Sequence, residues 1–149
     1  MANPSRKMFV NLPVRDLAGA MKFFRSLGFD FDARFTDEKA ARMAIGVDAY
    51  VMLLAEPFFR TFTRRQVCDT ASQVEGLFAI SCDSREEVDA LATRALSAGG
   101  RRAMEPRDHG FMYGWSFCDL DGHQWEVVWM DPEVASVSGL RPGRPGKMR

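Results

Sequence analysis

Glu126 is the residue whose type and setting carry the most chemistry. It lies in the run Gln124-Trp125-Glu126-Val127-Val128-Trp129. There Trp125, Val127 and Trp129 make one apolar face of a strand, and Gln124, Glu126 and Val128 make the other. A carboxyl on a face with apolar neighbours loses hydration in its charged form. Such a group can give a proton, take one, or hydrogen-bond a ligand. A structural role is the competing reading, with Glu126 bonded to Asn11, Gln124 or a water. The other reactive types are sparse. His109 lies in the loop sequence Arg107-Asp108-His109-Gly110, and His123 lies in a turn where a local structural bond is expected. Cys68, Cys82 and Cys118 are odd in number and form no CxxC, which supports neither a disulfide framework nor a zinc knuckle. Cys82 and Cys118 read as inert core residues. No Ser-His-Asp or Cys-His arrangement can be argued, and Gly99-Gly100 is a helix stop rather than a phosphate loop. Aromatic residues make up 11% of the chain. Phe9, Phe58, Phe62, Phe111, Tyr113 and Trp115 suit a pocket for a flat, greasy small molecule, whereas Trp125 and Trp129 read as core.

Two similar sets of elements must position these residues. Residues 8–14 read as a strand. Asp16 is an N-cap for a helix whose stripe is Leu17, Ala20, Met21, Phe24 and Leu27, with Gly28 as its stop. Residues 29–35 alternate apolar and polar, as a half-buried strand does. Residues 41–47 and 50–55 are two more strands. In the second half, 77–82 reads as a buried strand. Ser84 with Glu87 forms a capping box ahead of Val88, Leu91, Ala92 and Ala95 at helical spacing. Strands follow at 101–105, 111–118 and 124–130. The order β-α-β-β-β thus occurs twice, and each copy alone would leave a sheet face uncovered.

The length of 149 residues suits one domain. Its expected parts are a first module (8–56), a connection (57–73), a second module (74–131) and a basic tail (132–149). The formal net charge is zero, which removes the generic case for nucleic acid or an anionic membrane. No apolar run approaches the roughly 18 residues of a membrane span. The first residues lack the apolar core of a secretory signal, so a reduced cytoplasmic protein is expected.

Two stretches carry a resemblance. Leu12-Pro13-Val14-Arg15-Asp16-Leu17 with Phe23-Phe24 and Leu27-Gly28-Phe29 is similar to an opening strand, helix and turn of the vicinal oxygen chelate superfamily. Asp119-Leu120-Asp121-Gly122-His123-Gln124-Trp125-Glu126 is similar to its closing hairpin. That superfamily holds glyoxalase I, extradiol dioxygenases and bleomycin-resistance proteins. Within it the chain resembles bacterial proteins loosely called predicted lactoylglutathione lyases. The resemblance implies two βαβββ modules with paired, curved sheets forming a cup, and a homodimer. Its metal enzymes hold a divalent ion in the cup with four ligands. By motif spacing those positions fall on Phe9, Leu53, Leu77 and Glu126, and three of them have no donor atom. No metal and no cofactor is therefore expected, and glyoxalase I activity by the usual metal route is not expected.

Strand alternation then assigns faces. Phe9, Asn11 and Pro13 are expected to face the cup, as are Val51, Leu53 and Ala55, then Leu77, Ala79 and Ser81, then Gln124, Glu126 and Val128. The ligand-binding set so reached is Phe9, Asn11, Leu53, Leu77, Ser81, Tyr113, Trp115, Gln124 and Glu126. Two functions fit it. One is metal-free capture of an apolar or aromatic small molecule in the cup. The alternative is a lyase or isomerase acting beside a carbonyl. In that case Glu126 is the general base and Asn11, Gln124 or Tyr113 polarises the oxygen.

Overall fold

A computed structural model describes residues 3–134. Strand β1 (Met8–Val14) leads into helix α1 (Leu17–Ser26), then β2 (Ala40–Ala44) and β3 (Ala49–Ala55). A one-turn helix α2 (Glu56–Phe59) opens the connection. The second half runs β4 (Leu77–Cys82), α3 (Arg85–Ser97), β5 (Arg101–Asp108), β6 (Met112–Cys118) and β7 (Gln124–Met130). The class is α+β, as expected. One sheet is ordered β1-β3-β2 and the other β4-β7-β6-β5. The halves share a topology. In each, the first strand pairs parallel to the last, and a parallel pair needs a crossover, which the helix supplies. Residues 135–149, most of the expected basic tail, lie outside the described residues.

The helices start where their capping residues put them. The Asp16 carboxylate accepts from the Gly19 N–H at 3.1 Å, and the Ser84 hydroxyl accepts from the Glu87 N–H at 3.0 Å. Glu87 reaches one residue further back than a capping box requires, taking the Asp83 N–H at 2.6 Å. The apolar stripe of α1 packs on both sheets. Phe24 meets Trp125 with ring centroids 5.1 Å apart, and Phe23 lies 6.3 Å from Phe117. One core therefore serves both halves, built from Leu12, Val14, Val51 and Leu53 on one sheet and Phe117, Trp125 and Val127 on the other. Cys82 belongs to it, and burial pushes its thiol up to about 11.

Three expectations about elements are corrected. Residues 29–35 form no strand beyond one bridge, Phe31 to Met43, and 33–35 wind into a 3-10 turn. Asp32 is the reason. Its carboxylate takes the Arg34 N–H at 3.0 Å, and its carbonyl takes the Thr36 hydroxyl at 2.8 Å. Such local bonds compete with a ladder. β4 is not buried throughout. It is an edge strand whose side chains alternate, with Leu77, Ala79 and Ser81 exposed. β5 runs to Asp108, further than expected. Register shifts on either side of Met104 accommodate Pro106, which an edge strand tolerates.

Candidate functional site

The orientation of β7 is set from the turn before it. The Asp119 carboxylate accepts three hydrogen bonds: the Asp121 N–H at 2.9 Å, the His123 N–H at 3.0 Å and the Trp125 indole N–H at 2.9 Å. Burial raises the Asp119 carboxyl above its ordinary range even so. Gly122 sits at φ 93°, and a Cβ there would collide with the Thr70 carbonyl, so glycine is required twice over. Thr70 in turn donates its hydroxyl to the Asp121 carbonyl. His123 is buried, with Nε2 2.7 Å from the Pro13 carbonyl and Nδ1 3.2 Å from Glu75. The role is structural, as expected, but its ring bonds reach distant segments rather than the local turn. With Trp125 locked into the core, pleating sends Glu126 to the opposite, open face of the second sheet.

On that face Glu126 stands opposite Ala79 on β4 and Ser116 on β6. A shallow cavity of about 110 Å³ opens beside it, walled by Met104, Met112, Gly114, Trp115 and Val128 and edged by Glu105 and Arg107. The Ser116 hydroxyl accepts from the Met104 N–H at 2.9 Å, which pins the bulged strand over one end. Glu126 is half-buried, and its carboxylate makes no hydrogen bond or ion pair with any described residue. Neither Asn11 nor Gln124 bonds to it. A cation, Arg107, shares its cavity.

The structure brings part of the expected set together. Leu77, Ser81, Gln124 and Glu126 share the open face of the second sheet. Phe9 and Asn11 lie on the open face of the first, where Phe9 stacks on Tyr50 at 5.1 Å. Leu53 does not join them. It pairs with Leu12 and is fully buried in the core, as Val51 is with Val10. In the all-apolar run Val51-Met52-Leu53-Leu54 neither phase of the alternation stands out, and the register with β1 decides. Tyr113 is corrected too, whereas Trp115 borders the Glu126 cavity as well as α3. They alternate with buried Phe117 and turn toward α3, where the Tyr113 hydroxyl donates to Asp89 at 2.6 Å and the Trp115 indole at 3.1 Å. Tyr113 is thus not placed to polarise a substrate oxygen beside Glu126. The residues missed were Met104, Arg107, Met112 and Ser116. The parity of Phe117 carried the signal, since it places Ser116, Gly114 and Met112 opposite the core.

A metal does not fit the positions implied by the resemblance. Phe9 and Leu77 are hydrocarbons, Leu53 is in the core, and Glu126 alone offers an oxygen. Among the described residues no group of three or more His, Cys, Asp or Glu side chains is placed to hold an ion. His109 is exposed in its loop.

Residues 8–127 match the family model of the Glyoxalase/Bleomycin resistance protein/Dioxygenase superfamily. No curated protein matches the chain significantly. Among solved structures, hypothetical protein SA1046 from S. aureus is 29% identical with a TM-score of 0.71, over 85% of this chain and 95% of that one. A lactoylglutathione lyase from Agrobacterium tumefaciens is 21% identical with a TM-score of 0.62, over 85% and 95%. TnmS3, an antibiotic binding protein from Streptomyces sp. CB03234, is 21% identical with a TM-score of 0.61, over 87% and 99%. The last two likenesses are likenesses of fold.

Proposed function

The chain belongs to the Glyoxalase/Bleomycin resistance protein/Dioxygenase superfamily, and on that premise we propose that it binds an apolar or aromatic small molecule against the open face of its second sheet, without a metal ion. One observation carries the reading. A half-buried carboxylate with no partner among the described residues faces a cavity walled by methionine and valine. Apolar walls with one or two convergent polar groups are what a small ligand needs, the walls for affinity and the carboxylate for orientation. An antibiotic binding protein shares this fold, which supports capture of a small molecule on it. The same proposal includes a second copy of the chain that closes the open faces into a cup.

The test is a thermal-shift screen of neutral aromatic compounds carrying a hydrogen-bond donor, with hits mapped by methyl NMR. A ligand at about a hundred times its Kd stabilises by about 2.7 kcal/mol, which raises Tm by roughly 5 to 10 °C in a chain of this size. The methyl signals of Met104, Met112 and Val128 are expected to shift, and Glu126→Gln is expected to weaken the hit by about tenfold. A panel without a hit, or hits that map away from β5, β6 and β7, overturns the reading.

A further inference from the structure

Arg42 sits in the middle of β2 between Ala41 and Met43, both fully buried in the core. Alternation therefore sends its side chain to the open face of the first sheet, opposite Met52. Three aromatic rings surround it there. Its guanidinium carbon lies 4.2 Å from the ring centre of Tyr50, 4.4 Å from that of Phe35 and 5.0 Å from that of Phe9. Phe9 and Tyr50 are themselves stacked, with their planes 14° apart. The backbone of Arg42 is held as well. Its N–H donates to the Thr36 hydroxyl at 3.2 Å, and its carbonyl accepts from the Asp32 N–H at 2.9 Å.

The rings satisfy only part of what a guanidinium requires. Cation–π attraction acts through the ring face. The N–H donors of a guanidinium lie in its own plane and need acceptors there. No described residue supplies one, and Nε is the one buried side-chain polar atom without a partner among the described residues. The Asp32 carboxylate, whose pKa is lowered by hydrogen bonds from Arg34 and also by the Arg42 charge, is already engaged. Arg34 holds it with Nε at 3.1 Å and Nη2 at 3.0 Å. The first sheet thus presents a cation, fixed by its backbone and by three rings, whose donor fork has no acceptor. A planar fork matches a carboxylate, and the flanking rings match a flat apolar body attached to it.

We propose that the open face of the first sheet is a binding site for an aromatic carboxylate, with the carboxylate on the Arg42 guanidinium and the ring system against Phe9 and Tyr50. This site is on a different sheet from the Glu126 cavity and stands without it. The probes are 2-naphthoate and its neutral counterpart 2-naphthamide, titrated into 15N-labelled protein. Naphthoate is expected to shift the Arg42 Nε–H signal and the amide signals of Phe9 and Tyr50. It is expected to bind about tenfold more tightly than the amide. Arg42→Gln is expected to abolish that preference while leaving a folded spectrum. Arg42→Lys keeps the charge and loses the fork, and is expected to retain only a fraction of the preference. Because the Nε–H signal is read in the unmutated protein, an unfolded variant does not rescue the idea. Equal affinity for the two probes overturns it. So does a naphthoate response confined to β5, β6 and β7, an outcome that leaves the cavity reading standing. A response at Arg42 with silence at the Glu126 face supports this site and counts against the other.

Discussion

Glu126 and Arg42 carry opposite charge on the open faces of different sheets, and neither side chain finds a hydrogen-bond acceptor or donor among the described residues. Trp125 is the contrasting case one position away. Its ring fills the core between Phe24 and Phe78, and its indole N–H donates to Asp119. That carboxylate is buried, and burial already raises its pKa. Trp125→Phe keeps an aromatic ring but leaves one Asp119 oxygen without its donor. An unsatisfied buried acceptor costs about 1 to 3 kcal/mol, and the smaller ring adds a cavity term. Urea denaturation is expected to show Trp125→Phe destabilised by roughly 2 to 4 kcal/mol. A loss under roughly 0.5 kcal/mol, the level of an ordinary surface change, contradicts the role given to Asp119 in orienting β7.

At the scale of elements, legibility followed the strength of each local signal. α1 and α3 were readable because Asp16 and Ser84 cap them and the stripes behind them repeat at helical spacing. β7 was readable because Trp125, Val127 and Trp129 leave one phase of alternation, which placed Glu126 correctly. β3 was not, since Val51, Met52, Leu53 and Leu54 are apolar in either phase and only pairing with β1 selects one. The stretch 29–35 alternates as a strand does, yet hydrogen bonds through Asp32 wind it into a turn. Tyr113 was drawn to the cavity by its chemistry, when the parity of Phe117 assigns it to α3, while Trp115 bonds to Asp89 there and still borders the cavity. The long β5 is tied back to the start of α3 by Arg85, which holds the Asp108 carboxylate at 2.8 and 2.9 Å. That bidentate bond, with the Gly110 N–H behind it, lowers the Asp108 pKa to about 2. A carboxyl held below its ordinary 3.8 adds stability above that value and loses it as the folded protein titrates. The unmutated chain is therefore expected to melt higher than Asp108→Asn above about pH 4, with the gap closing as pH falls through about 2. A gap that stays constant over that window removes the ion pair from the account.

At the scale of the whole molecule, two kinds of surface meet different fates. The helix-side faces of both sheets are consumed in one core, and the turn before β7 is fastened to the first half through His123 and through Asp121, which accepts the Arg15 N–H at 2.8 Å. The opposite faces are covered only in part, at Leu54 on the first sheet and Ser116 on the second. Phe9 and Leu77, on those faces, are 43% and 59% exposed. β1 and β4 are edge strands, and a crevice of about 250 Å³ lined by Val10, Val51, Phe78 and Ile80 runs between them. Exposed edges and apolar faces invite another chain, and a two-fold pair would cover both copies with one surface. Light scattering at micromolar concentration is expected to give twice the 16.8 kDa chain mass. Leu77→Asp tests the face directly. Leu77 is exposed and lies outside the buried core, so thermal stability of the isolated chain should hold, whereas a charge set into an apolar contact removes the roughly 1.5 to 3 kcal/mol that a buried leucine contributes. Each two-fold pair loses that contribution twice, so dimer dissociation should move up by about two to four orders of magnitude in concentration. If the unmutated protein is a monomer at those concentrations, the open faces are ligand surfaces of a single chain, and the cup closed by a second copy is wrong. If it is a dimer that Leu77→Asp leaves intact, the copies meet elsewhere.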